Sequence, residues 1–251
     1  MGIEDLLNSV SKQIATNADD ALWGVDSFDP ADTIVPQEKI SLFEYVVKHE
    51  KRRPAFFGRY ITQPTKSAIL TEKEAKFIHG MDCKILPFHA NINDAQVNVS
   101  GDKGVEKGKA HAKAALSAAR GLKIPTGVYI YCNIEPHWSP TVDFMLGWWE
   151  TFANSEYLGG GGFYCGPSAF PIFEAAVAEA KNRFGVGTFL LQPVLWVTKG
   201  NAGKPPGGFN GPKPPTLPHQ VRGWQYSHNQ GIKFFEYDKN VTISRGIDTM
   251  W

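Results

Sequence analysis

The chain has 251 residues, 42% of them apolar, and a formal net charge of +1. That is enough for one barrel-sized domain with a substantial core, and the near-zero charge removes the electrostatic reason to expect nucleic acid or an anionic membrane as a partner. The three cysteines, Cys83, Cys132 and Cys165, have no CxxC spacing and adjoin apolar runs, which indicates buried free thiols and excludes a disulfide framework.

Residues 2–19 carry Ile3, Leu6, Leu7, Val10 and Ile14 at helical spacing, giving an N-terminal helical extension (1–20) ahead of a main domain over 21–251. LWGVDSFDPAD is a short strand running into a turn. Pro36 opens a predicted helix through His49, and PAFFGRYI (54–61) is a strand. Thr71 and Glu74 form a capping box whose helix ends at Gly80. CKILPFHAN (83–91) is a strand, residues 104–120 an Ala-rich helix, and GVYIYCNIE (127–135) the next strand. Ser139–Pro140 is an N-cap with proline in the first turn of a helix reaching Asn154. GGGFYCG is a strand and 168–184 a helix. The rhythm then changes: a strand at 187–197, a Gly/Pro-rich loop at 199–218, the strand VRGWQYS, then IKFFEYD and NVTISRGIDTMW as a β-rich tail.

Repeated β-then-α alternation implies a parallel sheet with right-handed crossovers. Eight strand candidates, with helices only after the early ones, predict an α/β fold: an irregular TIM-like (β/α) barrel whose last strands lack helices. An open doubly wound sheet is the competing architecture. GGGGF lacks both the Lys-Ser/Thr of a P-loop and GxGxxG spacing, which argues against nucleotide binding. No signal-peptide pattern and no run of roughly 18 apolar residues is found, which leaves a cytoplasmic location or export by a non-classical route.

In YIYCNIEP the side chains alternate. Val128, Ile130, Cys132 and Ile134 share an apolar face suited to lie under helices. Tyr129, Tyr131, Asn133 and Glu135 share the other, with the polar members at the C-terminal end, where barrel active sites form. Other strand candidates repeat the pattern: Asp26 near the end of the first, Arg59 or Tyr60 on the second, His89 and Asn91 on the third, Tyr164 on the fifth, Trp224, Gln225 and Tyr226 on a late one, and Asp248 on the last. Asp29, Asp32, Asp94 and His137 read as turn or cap residues. Asp26, Glu135 and Asp248 each adjoin apolar residues in runs that should be buried, and a buried carboxylate is costly unless paired or functional. The three are expected to share one pocket.

The order WGVDSFD, FFGRYI, LTEKEAKFIHGMDCKILPFHAN, GVYIYCNIE, GGFYCG, VRGWQYS and GIDTMW resembles the glycoside hydrolase-like domain of the DUF1906 group, which is similar to the family 25 lysozymes (muramidases). The resemblance runs from Trp23 to Trp251 and implies an irregular barrel acting on cell-wall glycan. It implies Asp26, Asn133, Glu135 and Asp248 as the catalytic set, with Glu135 as general acid, and Tyr164 with Trp224–Tyr226 along a sugar groove. Arg59 and His89 join the substrate-binding candidates from their strand-end positions. Asn133 departs from the lysozyme pattern, which has Asp there, and glycosidases generally need two carboxylates.

Three functions follow. The first is a muramidase-like glycosidase on N-acetylated cell-wall glycan such as peptidoglycan, without a cofactor. The second is a glycan-binding module on the same barrel, impaired by Asn133. The third is a metal-dependent deacetylase using His89, His137, Asp26 and Glu135, although no close metal-ligand spacing supports it.

Overall fold

The computed structural model describes residues 21–63, 65–157, 160–184, 194–199 and 211–251. The expected helix at 2–19, residues 187–193 of one expected strand and residues 200–210 of the Gly/Pro-rich loop lie outside them. Strand β1 (Leu22–Asp26) is followed by a two-stranded ribbon, β2 (Ile34–Val35) and β3 (Ile40–Ser41), and then by β4 (Phe56–Thr62), β5 (Lys84–His89), β6 (Ile130–Asn133), β7 (Gly161–Cys165), β8 (Leu195–Thr198), β9 (Val221–Ile232) and β10 (Phe235–Thr242). All but β2 and β3 close into an eight-stranded barrel, which excludes the open sheet. Neighbouring strands are parallel except at β10, which is antiparallel to both β9 and β1.

Helices α1 (Leu42–Glu50), α2 (Glu72–Gly80), the short α3 (Asp94–Val97), α4 (Asp102–Gly121), α5 (Val142–Ala153) and α6 (Phe170–Phe184) lie on the connections before β8. Among the described residues after β8, the one α-helix is the single turn α7 (Ser244–Ile247). Among the described residues the last strands therefore lack packed helices, as the sequence rhythm implied.

Two helix starts differ from expectation. α1 begins after Ser41, not at Pro36. The Ser41 hydroxyl accepts from Glu44 N, and the Glu44 carboxylate accepts from Ser41 N, so the capping box and the β2–β3 ribbon decide the boundary. α5 begins after Thr141, whose hydroxyl accepts from Phe144 N.

Strand alternation builds two layers. Outward side chains, including Val25, Phe57, Ile61, Ile85, Ile130, Cys132 and Phe163, pack beneath the helices. Inward ones, Phe56, Leu86, Phe88, Tyr131, Tyr164 and Trp196, fill the barrel. Room for Trp196 and Phe56 comes from glycines on neighbouring strands: a methyl group on Gly223 would overlap the Trp196 ring, and one on Gly24 the Phe56 ring. The filled interior confines open space to the mouth, at the C-terminal ends of the parallel strands. All three cysteines are buried free thiols.

The tail corrects a further expectation. Phe235–Thr242 forms one strand running down from the mouth, and the chain then turns through α7. Met250 enters the inner cluster, and Trp251 exchanges backbone hydrogen bonds with Ile85 at the start of β5. The chain thus ends at the bottom of the barrel.

Candidate active site

A cavity of about 140 Å³ opens at the C-terminal mouth, lined by Asp26, Tyr60, Phe88, Asn133, Glu135, Pro136, Tyr164, Thr198, Gln225, His228 and Asp238. Inward-facing strand ends supply most of it. Asp26 follows Gly24 on β1, Tyr60 follows Gly58 on β4, and Gln225 follows Gly223 on β9. Asn133 ends β6 and sits in register with Tyr164 of β7. Asp238 enters from β10 directly opposite Asp26.

Gln225 organises the floor. Its Nε2 donates to Asp26 Oδ2 at 2.9 Å and to Asp238 Oδ2 at 3.0 Å. Its Oε1 accepts from the Tyr164 hydroxyl at 2.5 Å and the Thr198 hydroxyl at 2.8 Å. Both amide hydrogens and both oxygen lone pairs are therefore used, which fixes the side chain and ties the two aspartates together. Asn240 Nδ2 gives Asp26 Oδ2 a second bond at 2.6 Å, while its Oδ1 accepts from Trp196 Nε1. Asp238 Oδ1 accepts from Asn229 N at 2.7 Å. On the opposite wall Asn133 Nδ2 donates to Glu135 Oε1 at 2.8 Å.

The field in the cavity is negative. Burial, and after it the neighbouring Asp238 charge, push the Asp26 carboxyl up to about 7, against the pull of the Asn240 and Gln225 hydrogen bonds. The hydrogen bond to Asp238 raises His228, and the Asp26 and Glu135 charges add to it. Burial and the same three carboxylates raise Tyr60, so its hydroxyl remains a proton donor. Near neutral pH Asp26 can therefore gain or lose a proton, while the tyrosines stay neutral.

Asp26, Asn133, Glu135, Tyr164 and Gln225 thus come together from distant parts of the chain. Five other expected site residues lie elsewhere. Asp248 is exposed in the turn after α7. The expected placement required a parallel last strand, whereas β10 is antiparallel, so the carboxylate it brings to the mouth is Asp238 near its start. Arg59 faces outward and is fully buried, donating to Glu74 Oε1 at 2.6 Å. Its inward neighbour Tyr60 lines the cavity instead. His89 also faces outward: its Nε2 lies 3.0 Å from His111 Nδ1, and its Nδ1 lies 2.7 Å from the Thr62 hydroxyl. Trp224 and Tyr226 flank the inward Gln225 and belong to the outer core, with Trp224 Nε1 donating to the Lys199 carbonyl and Tyr226 taking a bond from Trp23 Nε1.

The residues named for a metal site are not assembled. His89 faces the helices and His137 is exposed outside the cavity lining. Among the described residues no group of three or more His, Cys, Asp or Glu side chains is arranged to hold a metal ion. No described helix is long and apolar enough to cross a membrane.

Sequence reasoning left Tyr60 open against Arg59 and missed Phe88, Thr198, His228 and Asp238. Strand parity carried the signal for Phe88 and Thr198, each two residues from another inward side chain, Leu86 and Trp196. His228 and Asp238 sit on a β9–β10 hairpin whose antiparallel return was not recognised in the sequence.

Residues 51–242 match the model of the Rv2525c-like, glycoside hydrolase-like domain, and the chain belongs to that family. A 1.07 Å crystal structure of an uncharacterised B. stearothermophilus protein is 27% identical, with a TM-score of 0.69 over 92% of this chain and 100% of that one. Two Streptococcus pneumoniae proteins share the fold. GHIP, described as a glycosyl hydrolase 25 and a virulence factor in host cell invasion, has 15% identity and a TM-score of 0.51 over 99% of this chain and 96% of its own. The modular autolysin LytC, solved with a synthetic peptidoglycan ligand, has 14% identity and a TM-score of 0.51 over 88% of this chain and 46% of its own. No curated protein matches the chain.

Proposed function

We propose that this member of the Rv2525c-like family hydrolyses N-acetylated cell-wall glycan of the peptidoglycan type, with Glu135 as general acid. One observation carries the reading: Asp26, Glu135 and Asp238, from three distant segments, line a single small cavity at the barrel mouth together with tyrosines and Phe88. An oxocarbenium-like transition state calls for this kind of concentration of carboxylates. The cell-wall substrate is supported by the motif resemblance and by the peptidoglycan ligand of LytC.

The Asn133 amide holds Glu135 Oε1, leaving Oε2 to deliver a proton to the leaving glycosidic oxygen. As that C–O bond breaks, the acetamido oxygen of the substrate attacks the anomeric carbon and forms a cyclic oxazolinium ion. Water then opens the ring, giving its proton to Glu135. Asn133 cannot supply a negative charge, so we assign charge stabilisation to Asp26 and Asp238, with Gln225 holding both. The test is release of new reducing ends from peptidoglycan and from N-acetylglucosamine oligomers. Wild type should release them and Glu135→Gln should not, with the fold retained by circular dichroism.

A glycan-binding module is the second reading. It is favoured by Asn133 in place of an acid and by the number of protein hydrogen bonds already made by Asp26 and Asp238. It predicts glycan binding by wild type without new reducing ends.

A further inference from the structure

Phe28 is 47% exposed, one of the three large hydrophobic side chains among the described residues that are open to solvent. It lies two residues beyond the cavity-lining Asp26 and is not itself part of the lining. Its ring meets that of Tyr60, a cavity-lining residue, edge-on at a centroid distance of 6.3 Å. The backbone beneath it is anchored. Arg59 Nη1 donates to the Ser27 carbonyl at 2.5 Å and the Phe28 carbonyl at 2.9 Å, and Arg59 is itself held by a fully buried ion pair with Glu74. The Ser27 hydroxyl donates to the Glu236 carbonyl on β10 and accepts from Asp29 N. An apolar ring is thus held in water on a rigid segment.

The cavity, at about 140 Å³, is well below the roughly 300 Å³ at which pockets begin to bury drug-sized ligands. It is too small to enclose a polymer, so a glycan chain seated there must leave across the rim. The rim beside Tyr60 offers an aromatic face in continuity with the cavity.

We infer that Phe28 is the stacking platform of a second sugar subsite, binding the unit next to the one in the cavity, and that Arg59 and Glu74 are its positioning residues. This rests on the glycan reading above. A pyranose presents an apolar C–H face that packs on an aromatic ring, and covering Phe28 removes its apolar surface from water.

The test measures the affinity of Glu135→Gln protein, with and without Phe28→Ala, for N-acetylglucosamine, for its oligomers of two to six units and for a peptidoglycan glycan fragment. Phe28→Ala should weaken the longer ligands by roughly three- to tenfold, the weight of one aromatic stacking contact, and leave the monosaccharide unchanged. Phe28→Trp should restore the affinity for the longer ligands. Equal affinities with and without Phe28, or the same loss at every length, would overturn the subsite while leaving the glycan reading in place. Failure of the Phe28-containing protein to bind any of these ligands would overturn both.

Discussion

Replacing Asp26 by Asn should make the protein progressively more stable than wild type as pH rises from 4 to 8. Asp26 is 8% exposed and its carboxyl is raised from the ordinary 3.8 to about 7, first by burial and then by the Asp238 charge. A carboxyl with a raised value in the folded state binds its proton more tightly there than in the unfolded chain. Its stabilising contribution is complete below the unfolded value and is lost as pH rises through the folded one. At ~1.4 kcal/mol per tenfold change in proton affinity, the loss approaches about 4 kcal/mol by pH 8. An Asn side chain can turn its oxygen toward Gln225 Nε2 and Asn240 Nδ2, keeping both hydrogen bonds while never ionising. Urea unfolding of both proteins at half-unit intervals from pH 4 to 8.5 measures the difference. A stability gap that widens between pH 4 and 7 and then levels off supports the argument. A gap independent of pH would show that Asp26 is not held protonated by the fold.

Three further outcomes follow from the geometry. Gln225→Leu removes four hydrogen bonds at once and strands the Tyr164 and Thr198 hydroxyls; denaturant unfolding should show a loss of about 2–4 kcal/mol. Glu74→Gln leaves the buried Arg59 without its counter-charge and should cost about 3–5 kcal/mol in the same measurement. Gly223→Ala drives a methyl group into the Trp196 ring, and its thermal unfolding midpoint should fall in line with a cost of about 1–3 kcal/mol.

Periodicity made the barrel legible. Glycine- and cap-punctuated helices alternating with short apolar strands imply parallel pairing, and the loss of that rhythm after residue 185 marked where packed helices stop. Within a strand, adjacent residues face opposite sides of the sheet, and chemical type does not reveal which. Polar Asn133 and Glu135 sat on the face opposite an unbroken apolar run, so their direction could be read. On β4 the charged Arg59 seemed the more functional neighbour, yet it turns outward because Glu74 on α2 neutralises it beneath the helices. Trp224 and Tyr226 seemed suited to sugar stacking, but the smaller Gln225 between them holds the inward position. Asp248 misled for a different reason. The strand-end rule assumes that every strand rises toward the mouth, and β10 descends from it. The tight β9–β10 hairpin is a long-range pairing that the local apolar pattern of IKFFEYD did not disclose.

The central claim is that the cavity around Glu135 cleaves glycan. Digestion of peptidoglycan in ¹⁸O-labelled water, followed by mass spectrometry of the fragments, tests it most directly. The account predicts fragments carrying one ¹⁸O at each new reducing end with wild type and none with Glu135→Gln. Unlabelled, uncleaved glycan after incubation with wild type, or equal labelling by Glu135→Gln, would contradict it.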